Sequence, residues 1–491
     1  MLDLVSQFLD ILLYILVLAI AGGIISVAVM YVVDVTQTKQ AIRRNYPVVG
    51  RFRYFFEDIG EFFRQYFFAM DREEMPFNRS QRSWAYRAAK GVDSTVAFGS
   101  TRDLTRTGSL IFVNCPWPTL EKDVTDTASV TFGPYCEQPY TTDRIFHISG
   151  MSFGALSGPA VQALSRGANI AGCWMNTGEG GLSEHHLEGG ADIVFQIGTA
   201  KYGVRDEHGA LDEGKLREVA SHEQVRMFEI KLSQGAKPGK GGILPGAKVT
   251  DEIAAVRGIP AGQDSISPNR HPDIGSIAEL LDFIDRVRRI TGKPVGFKTV
   301  VGAFGWLEQL FTEARLRGQD AGPDFITIDS GDGGTGAAPQ PLMDSVGLPI
   351  SESLPLVCDI LNRTDMRKRV KVIASGKMIN PSDVAGALCL GADFVLSARG
   401  FMFALGCIQA MKCNQNTCPT GITTHDRRFQ RGLVPQDKAQ RVARYQQTME
   451  KQVGMIAHSC GVPEPRRLRR YHCRMVTANG RSIPLDEMYP G

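Results

Sequence analysis

Three cysteines lie close together, Cys407, Cys413 and Cys418, in the run GCIQAMKCNQNTCPTGI. Their C-x5-C-x4-C spacing puts three thiolates on one loop. Three sulfurs with no fourth nearby suit a 3Fe-4S cluster with one open corner, and a proline after the last cysteine also occurs in ferredoxin-type cluster loops. Zinc asks for a fourth ligand, which His425 could supply, and plain buried cysteines are a third reading. A second group of residues suits an anion. Ser375-Gly376-Lys377 and Ser397-Ala398-Arg399-Gly400 each close an apolar run, and backbone N–H groups in such turns, with a helix starting beside them, cradle phosphate. A cofactor with one phosphate, such as FMN, fits that position. Lys298 closes another apolar run. It sits either beneath the cofactor ring, where a cation stabilises the anionic reduced flavin, or reaches to solvent.

These groups need a frame that gathers strand ends. Eight short apolar runs supply one: 144–149, 172–176, 193–197, 227–232, 294–299, 325–329, 370–375 and 394–398. Helical patterns follow several of them, as at 278–290, 306–316 and 381–390. About 257 residues for eight strand–helix units predicts a closed (β/α)8 barrel, an α/β fold of TIM-barrel type. An open doubly wound sheet would open with a GxGxxG turn after its first strand, and none is present. In a barrel the chemistry belongs past the C-terminal strand ends, where the glycine-rich polar segments of this chain fall.

The 491 residues exceed one ordinary domain, and 43% hydrophobic content can build a sizeable core. A net charge of +3 argues against a dedicated nucleic-acid binder. The ten cysteines are mostly scattered, a poor disulfide framework. Ile11 to Val33 carries no charge, and as a helix it spans about 34 Å, enough for a single transmembrane segment. Lys39, Arg43 and Arg44 follow it and no basic residue precedes it. The expected topology is a single pass in the inner membrane with the catalytic bulk in the cytoplasm. Phe52, Phe55, Phe56, Ile59, Phe62, Phe63, Tyr66 and Phe67 recur at helical spacing, an amphipathic helix expected to pack on the main domain rather than lie on the membrane. The expected organisation is a short tail (1–10), the membrane helix (11–33), a helical lead-in packing on the barrel (34–143), the barrel (144–400), the sulfur loop (401–430) and a helical C-terminal extension (431–491). In that extension 436–456 reads as helix, and the basic run Arg466, Arg467, Arg469 and Arg470 as a solvated face.

The runs HISGMSFGALS (147–157), NTGEGG (176–181), EIKLSQGAKPGKGGILPG (229–246) and IDSGDGGTGAAP (328–339), with the cysteine loop, occur in an order and spacing that resemble the FMN-binding synthase domain of glutamate synthase. The resemblance covers roughly residues 100–430. It implies a barrel carrying FMN and a 3Fe-4S cluster that reduces 2-iminoglutarate, formed from 2-oxoglutarate and ammonia, to L-glutamate. It puts the cluster on Cys407, Cys413 and Cys418, and the substrate and acid–base groups on Glu179, Lys231, Lys237 and Arg257. It puts the flavin contacts on Ser149, Gly150, Met151, Ser152, Gln196, Lys298, Asp332, Gly333, Gly334, Thr335, Ser375, Gly376, Lys377, Ala398, Arg399 and Gly400. Those residue types suit the chemistry, since a dicarboxylate needs fixed cations and a carboxylate such as Glu179 can exchange a proton with nitrogen.

The chain also departs from that pattern. Position 2 is Leu2, not the cysteine nucleophile of a glutaminase, so nitrogen is expected from free ammonia, another subunit or a different nitrogen donor. Lys240 and Ile243 stand where the family usually has Glu and Gln, and an apolar side chain cannot replace that hydrogen bond. The same scaffold acting on another amino acid or amine is therefore an alternative, as is an electron-transfer subunit of a membrane complex. The implied partners are a small oxo acid or imine with ammonia, an electron donor such as ferredoxin or a reductase subunit, and the lipid bilayer. A homo-oligomer is compatible with the sequence, and no nucleic acid is expected.

Overall fold

The computed structural model describes residues 2–318 and 320–491. They divide into two compact units, one ending at Ser80 and one running from Gln81 to Gly491. In the first, helix α1 (Leu2–Thr36) contains the uncharged run, and among the described residues it is the one helix long and apolar enough to cross a membrane. Asp34 in its last turn has a fully buried side chain. The carboxylate accepts from Arg43 Nε at 2.9 Å, from Arg51 Nε at 2.8 Å and from the Val48 N–H at 2.9 Å. This ties helix α2 (Ala41–Asn45) and the start of helix α3 (Gly50–Phe63) to the end of α1. From α3 the chain continues into a wider helical turn, Arg64–Phe68.

The second unit is built on eight parallel strands: β1 (Phe146–Ile148), β2 (Met175–Asn176), β3 (Ile193–Ile197), β4 (Val225–Lys231), β5 (Val295–Val300), β6 (Phe325–Asp329), β7 (Lys371–Ser375) and β8 (Phe394–Ser397). They pair in sequence order, and β8 pairs with β1 through Val395 and Phe146 to close the barrel. All eight coincide with the expected runs, though β1 starts at Phe146. Arg144 precedes it and reaches Glu450 at 3.2 Å.

The period of two along each strand sorts the inward side chains by height. At the N-terminal end Trp174, Val194, Met227, Phe325, Ile373 and Phe394 form an apolar floor. Phe132 enters this floor from an antiparallel hairpin, Val130–Phe132 with Tyr140–Thr142, and stacks on Phe394 at 4.7 Å. Farther along the same strands the inward positions turn polar, with Asn176, Gln196, Glu229 and Thr327 buried inside. One end of the barrel is thus sealed with aromatic side chains and the other lined with hydrogen-bonding groups.

Segment 34–143, expected as a helical lead-in that is mixed from 70 onward, is helical in its first part. Its α-helices stop at Lys90, strands appear from Leu110 onward, and one short 3-10 turn covers Glu121–Asp123. Leu110–Phe112 pairs with Cys473–Val476, which pairs in turn with Ser482–Pro484, so the end of the chain adds a small sheet after its helix. Around the barrel, helix α4 (Gly158–Ala171) follows β1, capped by the Ser157 hydroxyl accepting from Ala160 N–H and closed by left-handed Gly172. It packs against the long helix Pro435–Ser459, which matches the helix expected over 436–456.

The basic run after that helix is not a solvated face. Arg466 lies over the Phe394 ring at 4.6 Å, and its guanidinium bonds the backbone carbonyls of Ala128, Asp393 and Arg144. Arg470 pairs with Asp359 at 2.5 Å. Only Arg467 and Arg469 are exposed. Backbone carbonyls, an aromatic ring and the Asp359 carboxylate absorb half of what looked like a free cationic patch.

The floor makes a direct test of the architecture. Phe132→Ala should cost about 3–5 kcal/mol, the range for deleting a fully buried aromatic ring. It should lower the thermal midpoint of the second unit, followed by near-ultraviolet circular dichroism, and an unchanged midpoint would show that the hairpin does not seal the barrel.

Candidate active site

The C-terminal strand ends open into a single large cleft of about 1340 Å³, its open mouth included. Its wall includes Glu179, Lys231, Lys237 and Arg257. It also includes Ser149, Gly150, Met151, Ser152, Gln196, Lys298, Gly334, Thr335, Ser375, Gly376, Lys377, Ala398 and Arg399. Residues scattered over more than two hundred positions therefore meet in one place because each ends or follows a barrel strand.

One side of the cleft suits a phosphate and an aromatic ring. Gly376 has φ +115° and Lys377 φ +54°, so the backbone after β7 turns through left-handed conformations. At Gly376 an added Cβ would also run into Ser330 Cβ. Among the described residues, the N–H groups of Gly376, Lys377, Ala398 and Arg399 meet no backbone or side-chain acceptor. Buried or half-buried donors without acceptors are what an anion satisfies.

Below them Lys298 is 6% exposed and lies 3.3 Å from Asp329 Oδ2. Burial alone would push its ammonium toward neutrality. Asp329 and Glu229 overcome that and raise its pKa above the ordinary lysine value, so the group stays charged. Glu229 in turn accepts from Asn176 Nδ2 at 2.8 Å, Gln196 Nε2 at 2.5 Å and Thr327 Oγ1 at 2.6 Å. A Cβ at Gly150 would stand 2.9 Å from Asn176 Oδ1 and 3.1 Å from Gln196 Nε2, so the β1 loop can cross this network only as glycine. A cradle of free N–H groups, a fixed cation and a flat polar floor together fit FMN.

Asp332, Gly333 and Gly400 are expected flavin contacts that do not themselves line the cleft. Asp332 takes Lys377 Nζ at 2.7 Å and the Ser330 hydroxyl, so it ties the loops after β6 and β7 together and occupies the Lys377 charge. Gly333 closes a turn on the Ser330 carbonyl. Gly400 donates its N–H to Ser397 Oγ at 3.2 Å, and a Cβ there would collide with the Tyr445 hydroxyl, so its smallness serves packing.

The other side of the cleft is cationic. Lys231 Nζ lies 3.0 Å from Glu179 Oε2 and donates to Gln234 Oε1 at 2.6 Å. Burial would raise the Glu179 carboxyl, but Lys231, Lys237 and Arg257 outweigh it and hold the group ionised, below its usual range. Gly198 and Gly242 leave room for that carboxylate, since a Cβ at either would strike the Glu179 side chain. Lys237 Nζ has no hydrogen-bond partner among the described residues, and burial with the nearby Lys231 lowers its pKa to about 8.

Arg257 donates to Ser265 Oγ at 3.0 Å and the Phe153 carbonyl at 3.3 Å and lies 5.0 Å from the Tyr202 ring centroid. Among the described residues its buried Nε has no hydrogen-bond partner. A short antiparallel hairpin, Ile243–Leu244 with Ser265–Ile266, forms this wall. Ile243 faces the cleft, whereas Lys240 is exposed outside it. Of the two departures from the family pattern, only the apolar one touches the site.

The sulfur loop follows β8. Cys413 lines the cleft and Cys407 and Cys418 do not. Among the described residues no three His, Cys, Asp or Glu side chains converge where a single metal ion would sit. The zinc reading loses its fourth ligand as well, because His425 Nε2 is turned to the Gly154 carbonyl at 2.8 Å. Each sulfur does have a polar neighbour. Gln409 N–H approaches Cys407 Sγ at 3.5 Å, Arg399 Nη1 approaches Cys413 Sγ at 3.7 Å, and Cys418 Sγ lies 3.3 Å from the Thr420 hydroxyl. Burial pushes the Cys407 thiol up to about 11. At Cys418 burial acts the same way, but the Thr420 hydroxyl helps bring the net shift below the ordinary thiol value.

Four residues central to this geometry were not singled out from the sequence: Glu229, Asn176, Asp329 and Lys248. Glu229 carried a usable signal, as the one acid in the apolar strand VRMFEIK and in phase with Lys231. Lys248 is 2% exposed and donates to the carbonyls of Ala155 and Cys413, a bridge no local pattern announces. Glu229→Ala would strand three buried donors at about 1–3 kcal/mol each. Thermal melting should show a loss of several kcal/mol, and Glu229→Gln, which keeps one acceptor, a smaller one. Equal melts for the two variants would show that the network is not what holds the strands.

The conserved region in glutamate synthase matches residues 112–463 of this chain. The chain is 38% identical over 508 residues to the glutamate synthase large subunit-like protein of Bacillus subtilis, spanning 96% of each. It is 31% identical over 397 residues to the glutamate synthase large subunit-like protein of Rhizobium meliloti, across 76% of this chain and 85% of that one. It is 35% identical over 316 residues to the archaeal-type glutamate synthase (NADPH) of Thermotoga maritima, of whose length it spans 59%. Among solved structures, a mutant flavocytochrome b2 with pyruvate bound aligns at 14% identity with a TM-score of 0.46, over 84% of this chain and 87% of that one. The extent of the family match and of these relatives makes the chain a member of the glutamate synthase family and an oxidoreductase enzyme.

Proposed function

We propose that the barrel mouth reduces 2-iminoglutarate, formed from 2-oxoglutarate and ammonia, to L-glutamate, with FMN as its cofactor and a 3Fe-4S cluster on Cys407, Cys413 and Cys418. The observation that carries this reading is the charge of the cleft. Lys231, Lys237 and Arg257 are buried around one carboxylate, Glu179. Three fixed cations against one anion are a poor arrangement for an empty pocket and a good one for a ligand with two carboxylates.

FMN supplies hydride transfer when bound, and the cluster supplies single-electron delivery. The N–H groups of Gly376, Lys377, Ala398 and Arg399 would hold the FMN phosphate, and Gly150, Gln196 and Lys298 its ring. The protein's own groups bind and orient the substrate. The unpartnered Nε edge of Arg257 takes one carboxylate, and Lys237 Nζ takes the other. Glu179, held by Lys231, accepts a hydrogen bond from the ammonia or imine nitrogen and exchanges a proton there.

The helix α1 anchors the enzyme in the inner membrane as a single pass, with Lys39, Arg43 and Arg44 on the cytoplasmic side together with the barrel. Ferredoxin or a reductase subunit delivers electrons from there. Ile243 favours one second reading. It is 43% exposed in the cleft wall and offers no hydrogen bond, so an oxo acid with an apolar side chain in place of the second carboxylate would also be accommodated.

Full-length protein in detergent, supplied with dithionite or reduced ferredoxin, ammonium and 2-oxoglutarate, should form glutamate detectable by mass spectrometry. Faster amination of 2-oxoisovalerate would select the second reading, and no product from either would end both. Lys237 yields a pH test. Its ammonium is lost as pH rises through about 8, so KM for the oxo acid should climb above that pH while kcat changes little. Lys237→Met should raise KM about 10- to 100-fold, as for loss of a charged hydrogen bond, and abolish the inflection. Lys248→Met should keep the inflection, and if it removes it the assignment to Lys237 is wrong.

A further inference from the structure

Beyond the barrel, the first unit carries an aromatic face that the proposed chemistry does not use. Phe52, Phe55, Phe56, Phe62, Phe63, Tyr66 and Phe67 lie on one side of α3 and its continuation through Phe68. At 100° per residue they fill an arc of more than about 100°, the width of a face made to be buried. Yet they are 43% to 74% exposed. The other side carries Arg53, Glu57, Asp58, Glu61 and Arg64.

The start of this helix is fixed at one end of α1. The Asp34 carboxylate receives Arg43 and Arg51, so α2 and the first turn of α3 are pinned to the last turn of the membrane helix. Gly50 allows the approach, since a Cβ there would stand 2.8 Å from the Ile42 carbonyl oxygen. Asp34 directly follows the uncharged run that ends at Val33, so α3 begins at the edge of the hydrocarbon layer. Acids and bases balance on its polar side, three of each counting Arg51, so apolar burial rather than charge must drive any docking.

We propose that α3 is an interfacial helix. It lies in the headgroup layer of the leaflet into which α1 emerges, with its phenylalanines sunk among the acyl chains and its charged side toward water. Aromatic rings favour that depth. The occupant of the exposed face is lipid, supplied by the membrane that α1 already enters. The Asp34 clamp sets the height of the helix, and the tether becomes a two-part anchor, one helix through the bilayer and one along it.

This rests on the reading of α1 as membrane-embedded, and the test separates the two. Full-length protein is reconstituted in phosphatidylcholine–phosphatidylglycerol vesicles with and without brominated lipid. Four single variants are compared with the wild type for the quenching of the added tryptophan: Leu16→Trp in α1, Phe56→Trp and Phe67→Trp on the aromatic side, and Glu57→Trp on the polar side. Substituting one exposed aromatic residue by another guards against misfolding, and matching circular dichroism checks it. The expected result is strong quenching at 16, 56 and 67 and at least threefold weaker quenching at 57. Quenching at 16 without quenching at 56 and 67 overturns the interfacial helix alone. Emission at 56 that is shifted to the blue but unquenched overturns it too, and shows the face covered by protein, such as a second copy. No quenching at 16 overturns the membrane reading itself.

Discussion

Lys298 can remain protonated inside the barrel only because Asp329 and Glu229 stand beside it. A buried ammonium with no partner sheds its proton, and a buried carboxylate with none takes one up. Here the two carboxylates keep the ammonium charged, and the remaining acceptor capacity of Glu229 is filled by Asn176, Gln196 and Thr327. Four of the eight strands thereby contribute to one polar layer through Glu229 alone. The apolar floor below supports it from the other side, because water that reached Glu229 would weaken every interaction it makes. The Phe132 hairpin is therefore part of the electrostatics of the site even though it touches none of its charges.

The cleft above that layer divides by how its charges are satisfied. On the cofactor side, Lys298 has Asp329 and Lys377 has Asp332, so side-chain charge is largely paired and the unsatisfied groups are backbone N–H donors. Around Glu179 the reverse holds. Among the described residues Lys237 Nζ and the Arg257 Nε have no hydrogen-bond partner, and Glu179 is already engaged by Lys231. Backbone donors hold a phosphate at a fixed distance and suit a resident group. Buried cations with unused donors suit a ligand that comes and goes, since its arrival removes a cost that its departure restores.

The barrel was readable from the spacing of apolar runs, because a strand buried on both faces must be a short apolar stretch and its neighbours must recur at regular intervals. The cleft residues were readable for a related reason: the ends of parallel strands meet at one mouth, so position along the chain translates into position in space. What was not readable depended on contacts between distant segments. Arg466 looked solvated until it met Phe394 and the carbonyl of Arg144. The strands within the lead-in were hidden differently. Leu110–Phe112 is too short to show alternation, and its strand partner lies more than three hundred and fifty residues later. Glu229 was an oversight of period rather than of information, since an acid in phase with Lys231 must point where Lys231 points.

Two cations connect the sulfur loop to the rest of the site, and they do so from opposite sides. Arg399 bonds the Thr335 carbonyl in the cofactor wall and reaches Met402 Sδ at 3.4 Å and Cys413 Sγ at 3.7 Å. Lys248 links Ala155, beyond the β1 loop, to the Cys413 carbonyl, and burial lowers its pKa to about 8 against the pull of Cys413 and Cys418. Three thiolates gathered on a short loop would repel one another, and a cluster bound to them would carry net negative charge into a half-buried place. Cations on both flanks offset that charge. They also fix the loop by bonds to elements that already hold the cleft, so the sulfur group and the cofactor wall cannot shift independently. The loop forms no regular element between Gly406 and Asp426, and Gln409, Met411 and Asn416 all adopt positive φ. Its placement therefore comes from bonds to its surroundings: besides the two cations, the Tyr86 hydroxyl donates to the Cys407 carbonyl at 2.6 Å, the Ser157 hydroxyl to the Gly421 carbonyl at 2.7 Å and the Ser157 N–H to the Ile422 carbonyl at 2.9 Å, so charged and neutral donors together hold the three cysteines beside the barrel mouth.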